Sequence, residues 1–128
     1  MNEKIEAFYP LLGQNFYDSL PSFSEAWLTF ESIGDVWGAE SFYKTSTKAI
    51  RYKNEGLEAA EKLLCGMRQA FVDSNLEPFS QVVFHLRESG KFTIDYGYED
   101  VSDFGLSGER RALWIEKTFG KNTQVQWS

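Results

Sequence analysis

Four carboxylates, Asp95, Glu99, Asp100 and Asp103, fall within nine residues in the segment Asp95-Tyr96-Gly97-Tyr98-Glu99-Asp100-Val101-Ser102-Asp103. Side chains of this type at this density have four chemical readings. They could hold a hard cation, work as a paired acid and base, face water as a strand end with Glu99 or Asp100 paired to Arg110 or Arg111, or offer a negative surface to a basic partner. The spacing fits a calcium loop poorly, because it lacks the regular oxygen positions around a turn glycine and the closing bidentate Glu. Paired-carboxylate catalysis has little local support either, since the nearest lysine, Lys91, belongs to the same strand. A metal-dependent hydrolase using Asp95 to Asp103 remains the enzymatic alternative. The solvated strand end and the recognition surface stay level on the residues alone.

Other reactive side chains are scarce. His85 is the one histidine and lies within Val-Val-Phe-His-Leu-Arg, a strand pattern that makes it a sheet-surface residue. Cys65, the one cysteine, sits beside the apolar stripe of a helix and reads as a packed thiol. One thiol and one imidazole do not make an ordinary zinc site. Walker, dinucleotide and EF-hand patterns are all missing, so neither a metal nor an organic cofactor is expected.

Aromatic residues make up 16% of the chain, and Trp27, Trp37, Phe42, Tyr43, Tyr96 and Tyr98 cannot all face one small core. Rings ringed by carboxylates are suitable anchors for a basic partner, which adds Glu40, Trp37 and Tyr43 to the contact candidates as a secondary set. The net charge of −6 has the wrong sign for direct nucleic-acid binding or an anionic membrane surface. A single cysteine cannot close an internal disulfide, no run approaches the length of a membrane span, and the acidic N-terminus is unlike a secretory signal. Cytoplasmic residence is the expectation.

The elements that must position these groups follow from periodicity and punctuation. With 128 residues and 42% hydrophobic content the chain is expected to form a single domain, 1–128, with an ordinary core. Ile5, Phe8, Tyr9, Leu12 and Phe16 predict a helix over 3–19, with Pro10 early in it or kinking it. Strands are expected at about 25–32, 36–44 and 47–52, with Gly34-Asp35 and Gly38 as turn positions. Asn54 is the expected N-cap of a long helix carrying Leu57, Ala60, Leu64, Met67 and Phe71. Two strands, 82–87 and 91–96, read as a hairpin about Gly90, and Phe92, Ile94, Tyr96 and Tyr98 share its core face. Ser107 is the expected N-cap of a last helix that Gly120 closes, and the final eight residues are expected to be loose except for Trp127. The sum is an α+β domain, an antiparallel sheet with helices packed on a face, in the order α-β(2-3)-α-β2-α.

Met67 to Gly120 resembles the YezG-like immunity proteins, the antitoxins of bacterial polymorphic-toxin systems. The marks are Met67-Arg68-Gln69-Ala70-Phe71, Glu77-Pro78-Phe79, Gly90-Lys91-Phe92-Thr93-Ile94-Asp95-Tyr96, Tyr98-Glu99-Asp100, Arg110-Arg111 with Trp114 following, and Phe119-Gly120. Their order and spacing carry the likeness, while the first 60 residues agree only in layout. The resemblance implies a non-enzymatic cytoplasmic protein that binds the C-terminal domain of a secreted toxin, often a nuclease, one-to-one. It keeps that domain inactive by covering its active site or substrate groove.

Overall fold

The structure, a computed structural model, describes residues 2–33 and 35–127. The N-terminal helical stretch is divided at Ala7 into α1 (Glu3–Glu6) and α2 (Phe8–Ser19). Pro10 stands in the first turn of α2, where a missing N–H costs no intrahelical bond. Asn2 caps α1 by accepting hydrogen bonds from the backbone N–H groups of Lys4 and Ile5 at 2.9 and 3.2 Å.

Three strands follow: β1 (Glu25–Ile33), β2 (Val36–Lys44) and β3 (Ile50–Lys53). Gly34 of the expected Gly34-Asp35 turn lies outside the described residues. Gly38 is within β2 instead of a turn. Then come α3 (Glu58–Asp73), the hairpin β4 (Gln81–Arg87) and β5 (Phe92–Gly97), a 3-10 turn (Phe104–Leu106), α4 (Ser107–Phe119) and β6 (Val125–Gln126). Gly90 takes φ 93° in the hairpin loop and Gly120 takes φ 104° past α4, both left-handed conformations that suit glycine. Two expected caps move. Leu57, not Asn54, occupies the N-cap position of α3, and Ser107 is already inside α4 because Asp103 caps the preceding 3-10 turn through Gly105 N–H.

The six strands form one sheet in the order β5-β4-β1-β2-β3-β6. Every pairing is antiparallel except β3 with β6, which is parallel. The expected antiparallel sheet thus gains one parallel pairing, at its β6 edge. The expected loose end is corrected at Val125–Gln126, which return to the sheet as β6. Trp127, excepted from that expectation, packs on Tyr52 and Phe42 with ring centroids 4.9 and 6.2 Å apart.

Helices cover both faces, not one. On the first, Ala26, Leu28 and Phe30 of β1 and Val82, Phe84 and Leu86 of β4 bury against Ile5, Leu12 and Phe16 of α1 and α2 and Leu64, Met67 and Phe71 of α3. On the second, Trp27, Phe42 and Ile50 bury against Trp114, Ile115 and Phe119 of α4. The cause lies in β1, where Ala26, Trp27 and Leu28 are buried in succession, so the strand has apolar residues on both faces and each needs a cover. Chain leaving β5 at one edge must reach β6 at the other. Six strands span about 24 Å, and the 13 residues of α4 supply about 20 Å of that crossing.

Candidate functional site

Register places three rows of side chains under α4. Thr93, His85, Trp27, Phe42 and Tyr52 form the first, Asp95, Val83, Thr29 and Glu40 the second, and Gly97, Gln81, Glu31 and Gly38 the third. The first row is mostly rings. Trp27 stacks on His85 with centroids 4.7 Å apart and planes at 12°, and Phe119 meets Trp27 edge-on at 4.7 Å. His85 Nε2 lies 3.0 Å from Glu25 Oε1, and Lys44 Nζ lies 3.4 Å from the other carboxylate oxygen. Burial pushes the Glu25 carboxyl up, but the hydrogen bonds and charges of Lys44 and His85 outweigh it and hold the group below its ordinary value. His85 is a sheet residue, as its strand pattern predicts. Cys65 packs against the first core, and burial raises its thiol pKa, which disfavours the reactive thiolate.

The second and third rows carry charge, and two arginines of α4 answer it. Arg110 forks onto Glu31, Nε to Oε2 at 2.5 Å and Nη2 to Oε1 at 2.9 Å, and Nη1 donates to the Asp103 carbonyl at 3.2 Å. Arg111 Nη1 donates to Glu40 Oε2 at 2.6 Å, and the Tyr52 hydroxyl donates to the same oxygen at 2.5 Å. The Arg111 guanidinium also lies over the rings of Trp127 and Tyr52, at 5.0 and 5.8 Å from their centroids. Burial, then the hydrogen bond to Glu40, pushes the Tyr52 hydroxyl up to about 12. The pairing of Arg110 or Arg111 with Glu99 or Asp100, one of the readings open from sequence, is not the one observed. Both guanidiniums reach down to sheet carboxylates, which are distant in sequence but directly beneath the helix.

Between these ion pairs and the sheet lies a hollow of about 530 Å³. Thr29, Glu31, Glu40, Val83, Asp95 and Gly97 line its floor, and Phe104, Ser107, Gly108, Arg110, Arg111 and Trp114 its roof. A second, more apolar hollow of about 550 Å³ lies on the α3 side of β5, beside Ile5, Leu76 and Tyr98.

The sequence candidates divide between these surroundings. Asp95 and Glu40 both line the 530 Å³ hollow, roughly 14 Å apart across three strand spacings. Glu99, Asp100 and Asp103 are exposed on the segment between β5 and α4. Asp100 accepts a hydrogen bond from Ser102 N–H at 2.9 Å, and the Ser102 hydrogen bonding holds its carboxyl below the ordinary value. Trp37 and Tyr43 are on the opposite face. Tyr43 packs on the first core, and Trp37, exposed beside it, pairs with Ser32 in register and meets Glu61 of α3. Among the described residues no three His, Cys, Asp or Glu side chains stand together as metal ligands, so the carboxylates do not converge as the hydrolase alternative requires. The sequence marks neither Glu31 nor Gly108, and marks Gly38 only as a turn position; each belongs to the hollow through strand register or the placement of α4.

The family model described as "Immunity protein YezG-like" matches residues 39–126, well over half of the chain. The chain belongs to the YezG-like immunity protein family. The YezG-like span runs from the middle of β2 through β6 and takes in both arginines, Glu40, Asp95 and the acidic segment, leaving α1, α2, β1 and the start of β2 outside it. The Immunity protein YezG of Bacillus spizizenii (strain ATCC 23059 / NRRL B-14472 / W23) is 36% identical over 55 residues. That alignment covers 42% of this chain and 34% of the Bacillus protein, about a third of its length.

Proposed function

We propose that this chain is an immunity protein that binds the C-terminal domain of a cognate secreted toxin in a one-to-one complex and neutralises it in the cytoplasm of the producing cell. The partner class is a basic nuclease domain, held off its substrate by a cover over its active site or substrate groove. The observation that carries this reading is the YezG-like match across 39–126, which spans the whole acidic segment. Charge supports the partner class. The acids that pair with basic side chains are Glu25, Glu31 and Glu40, while Asp95, Glu99, Asp100 and Asp103 form no ion pair among the described residues and are exposed. Carboxylates left outside the fold's own pairs are available to steer a cationic surface and to repel acidic competitors.

The proposed contacts are Asp95, Glu99, Asp100 and Asp103, with Glu40 behind them in the hollow. Trp37 and Tyr43, on the far side of the sheet, are left out of this set.

Co-expression with the C-terminal domain encoded by the gene directly upstream tests the reading. Survival of the host and co-purification of the two chains are expected; death of the host at full expression of this chain removes the proposal. Asp100→Ala combined with Asp103→Ala is expected to slow association roughly threefold to tenfold at low salt with little change in dissociation. Unchanged association kinetics would remove the acidic segment from the interface.

A further inference from the structure

The hollow between α4 and the sheet has a lining whose charges do not cancel. Three carboxylates, Glu31, Glu40 and Asp95, face it with two guanidiniums, Arg110 and Arg111. Each arginine is committed, Arg110 to both oxygens of Glu31 and Arg111 to Glu40. Asp95 makes no hydrogen bond or ion pair among the described residues. An anion entering this space would meet no uncommitted cation and would have to break an existing pair. A cation meets an open carboxylate. Phe42, Val83, Phe104 and Trp114 add apolar wall on which the methylene stem of a long basic side chain can lie. The volume, about 530 Å³, is within the usual span of ligand sites, roughly 300–1,000 Å³.

Two glycines keep the space open. Gly38 in the middle of β2 and Gly108 in the first turn of α4 both line the hollow, and a Cβ built on either meets nothing within 4 Å. Neither adopts the positive φ that favours glycine, unlike Gly56, Gly90 and Gly120. Glycine weakens both strand and helix interiors. Backbone conformation and packing therefore give no reason for a missing side chain at either position, and what the missing side chains leave is room. Gly97 differs, because a Cβ there would stand 2.7 Å from Gln81 Oε1.

We propose that this hollow receives a basic side chain, an arginine or lysine carried on a loop of the toxin domain, with Asp95 as the group that takes its charge. The inference rests on the immunity reading above and adds to it the place and chemistry of the anchor. The insertion is a lock of shape as much as of charge. It requires the space over Gly38 and Gly108 to stay empty, whereas a rim contact through the acidic segment alone does not.

The test measures binding of the full chain to the catalytically inactivated C-terminal domain from the upstream gene. Gly108→Met and Gly38→Val fill the hollow at positions where a helix former and a strand former are locally favoured, so the Tm is expected to hold or rise. Both are expected to weaken binding roughly a hundredfold, the loss of a central anchor. Asp95→Asn is expected to weaken it roughly tenfold. It should also be non-additive with alanine at one arginine or lysine of the toxin domain, and additive with the others. Filled variants that retain their Tm and bind within about threefold of the wild type overturn the inference while leaving the immunity reading intact. If Gly38→Val does not fold, Gly108→Met decides alone. Failure of the wild-type chain to bind the domain removes the immunity reading, and this inference with it.

Discussion

Tyr52, Glu40 and Arg111 show how one carboxylate oxygen does two jobs. Glu40 Oε2 accepts from the tyrosine hydroxyl within the sheet and from the guanidinium of α4 above it. Because Tyr52 ionises at about 12 in the fold against an ordinary 10.0, its neutral form contributes stability that is complete below pH 10.0 and is lost as pH rises to about 12. Tyr52→Phe is therefore expected to make the alkaline loss of stability over that window shallower. At neutral pH it should cost about 1–2 kcal/mol for the lost bond to a charged acceptor. Urea unfolding at neutral and alkaline pH checks both statements, and an unchanged alkaline slope would show that the hydroxyl does not sense Glu40. Burial and the Tyr9 hydroxyl also push the Tyr96 hydroxyl far upward, so some alkaline dependence persists in the variant. The acidic expectation runs the other way. Glu25 is held below its ordinary value by Lys44 and His85, so its contribution is present above pH 4.5 and lost as pH falls through the lowered value. Glu25→Gln should flatten that acid limb in the same titration. Residue identity alone revealed the side chains in these networks but not their partners. Arg110 and Arg111 have Asp100, Asp103 and Glu109 as sequence neighbours, yet pair with Glu31 and Glu40 because a helix lying across a sheet meets whatever the strands raise beneath it.

At the scale of elements, Phe42 carries more of the second core than its position in β2 suggests. It is fully buried and meets Tyr52, Trp114, Phe119 and Trp127 at 5.3, 5.1, 6.3 and 6.2 Å between ring centroids. Phe42→Ala is expected to cost about 3–5 kcal/mol in denaturant unfolding. The loss should appear together with blue-to-red movement of tryptophan emission as the buried Trp27 and the half-buried Trp114 meet water. A cost under about 1 kcal/mol would mean that α4 holds its place without this ring. The elements themselves were largely legible. Period-two alternation in 82–87 and 92–96 with Gly90 between them specifies the hairpin, and the stripe from Leu57 to Phe71 specifies α3. Layer assignment was not legible, because Trp114, Ile115 and Phe119 mark an apolar side of α4 without saying which face of the sheet it covers. The parallel strand β6 was beyond reach, since two residues, Val125–Gln126, carry no period at all.

For the whole molecule the deciding quantity is net charge, −6, set against the four exposed acids on one edge. Association with a basic domain is expected to slow roughly tenfold or more between about 20 mM and about 500 mM salt, as screening shortens from about 20 Å to a few ångströms, with dissociation far less affected. A rate independent of salt would place the docking surface elsewhere. Family membership was legible from Met67 to Gly120 by short marks in order, and the match extends upstream to residue 39, where β2 and β3 have turn-rich, ring-rich sequence without sharp motifs. The floor of the hollow was not legible, because strands far apart in the chain build it.

The two sides of the sheet are covered very differently, three helices on one and α4 with its returning strand on the other. A layer made of one continuous C-terminal stretch can detach as a unit without disturbing the strands it covers. Native-state hydrogen exchange should therefore split into two families. Amides of α4 and β6 would exchange together through a low-energy opening, while those of β1 and β4, paired on both sides, wait for global unfolding. The same opening would uncover Trp27 and Phe42 for as long as it lasts, so occupancy of the space beneath α4 should slow exchange of the whole C-terminal stretch, including amides that no partner touches.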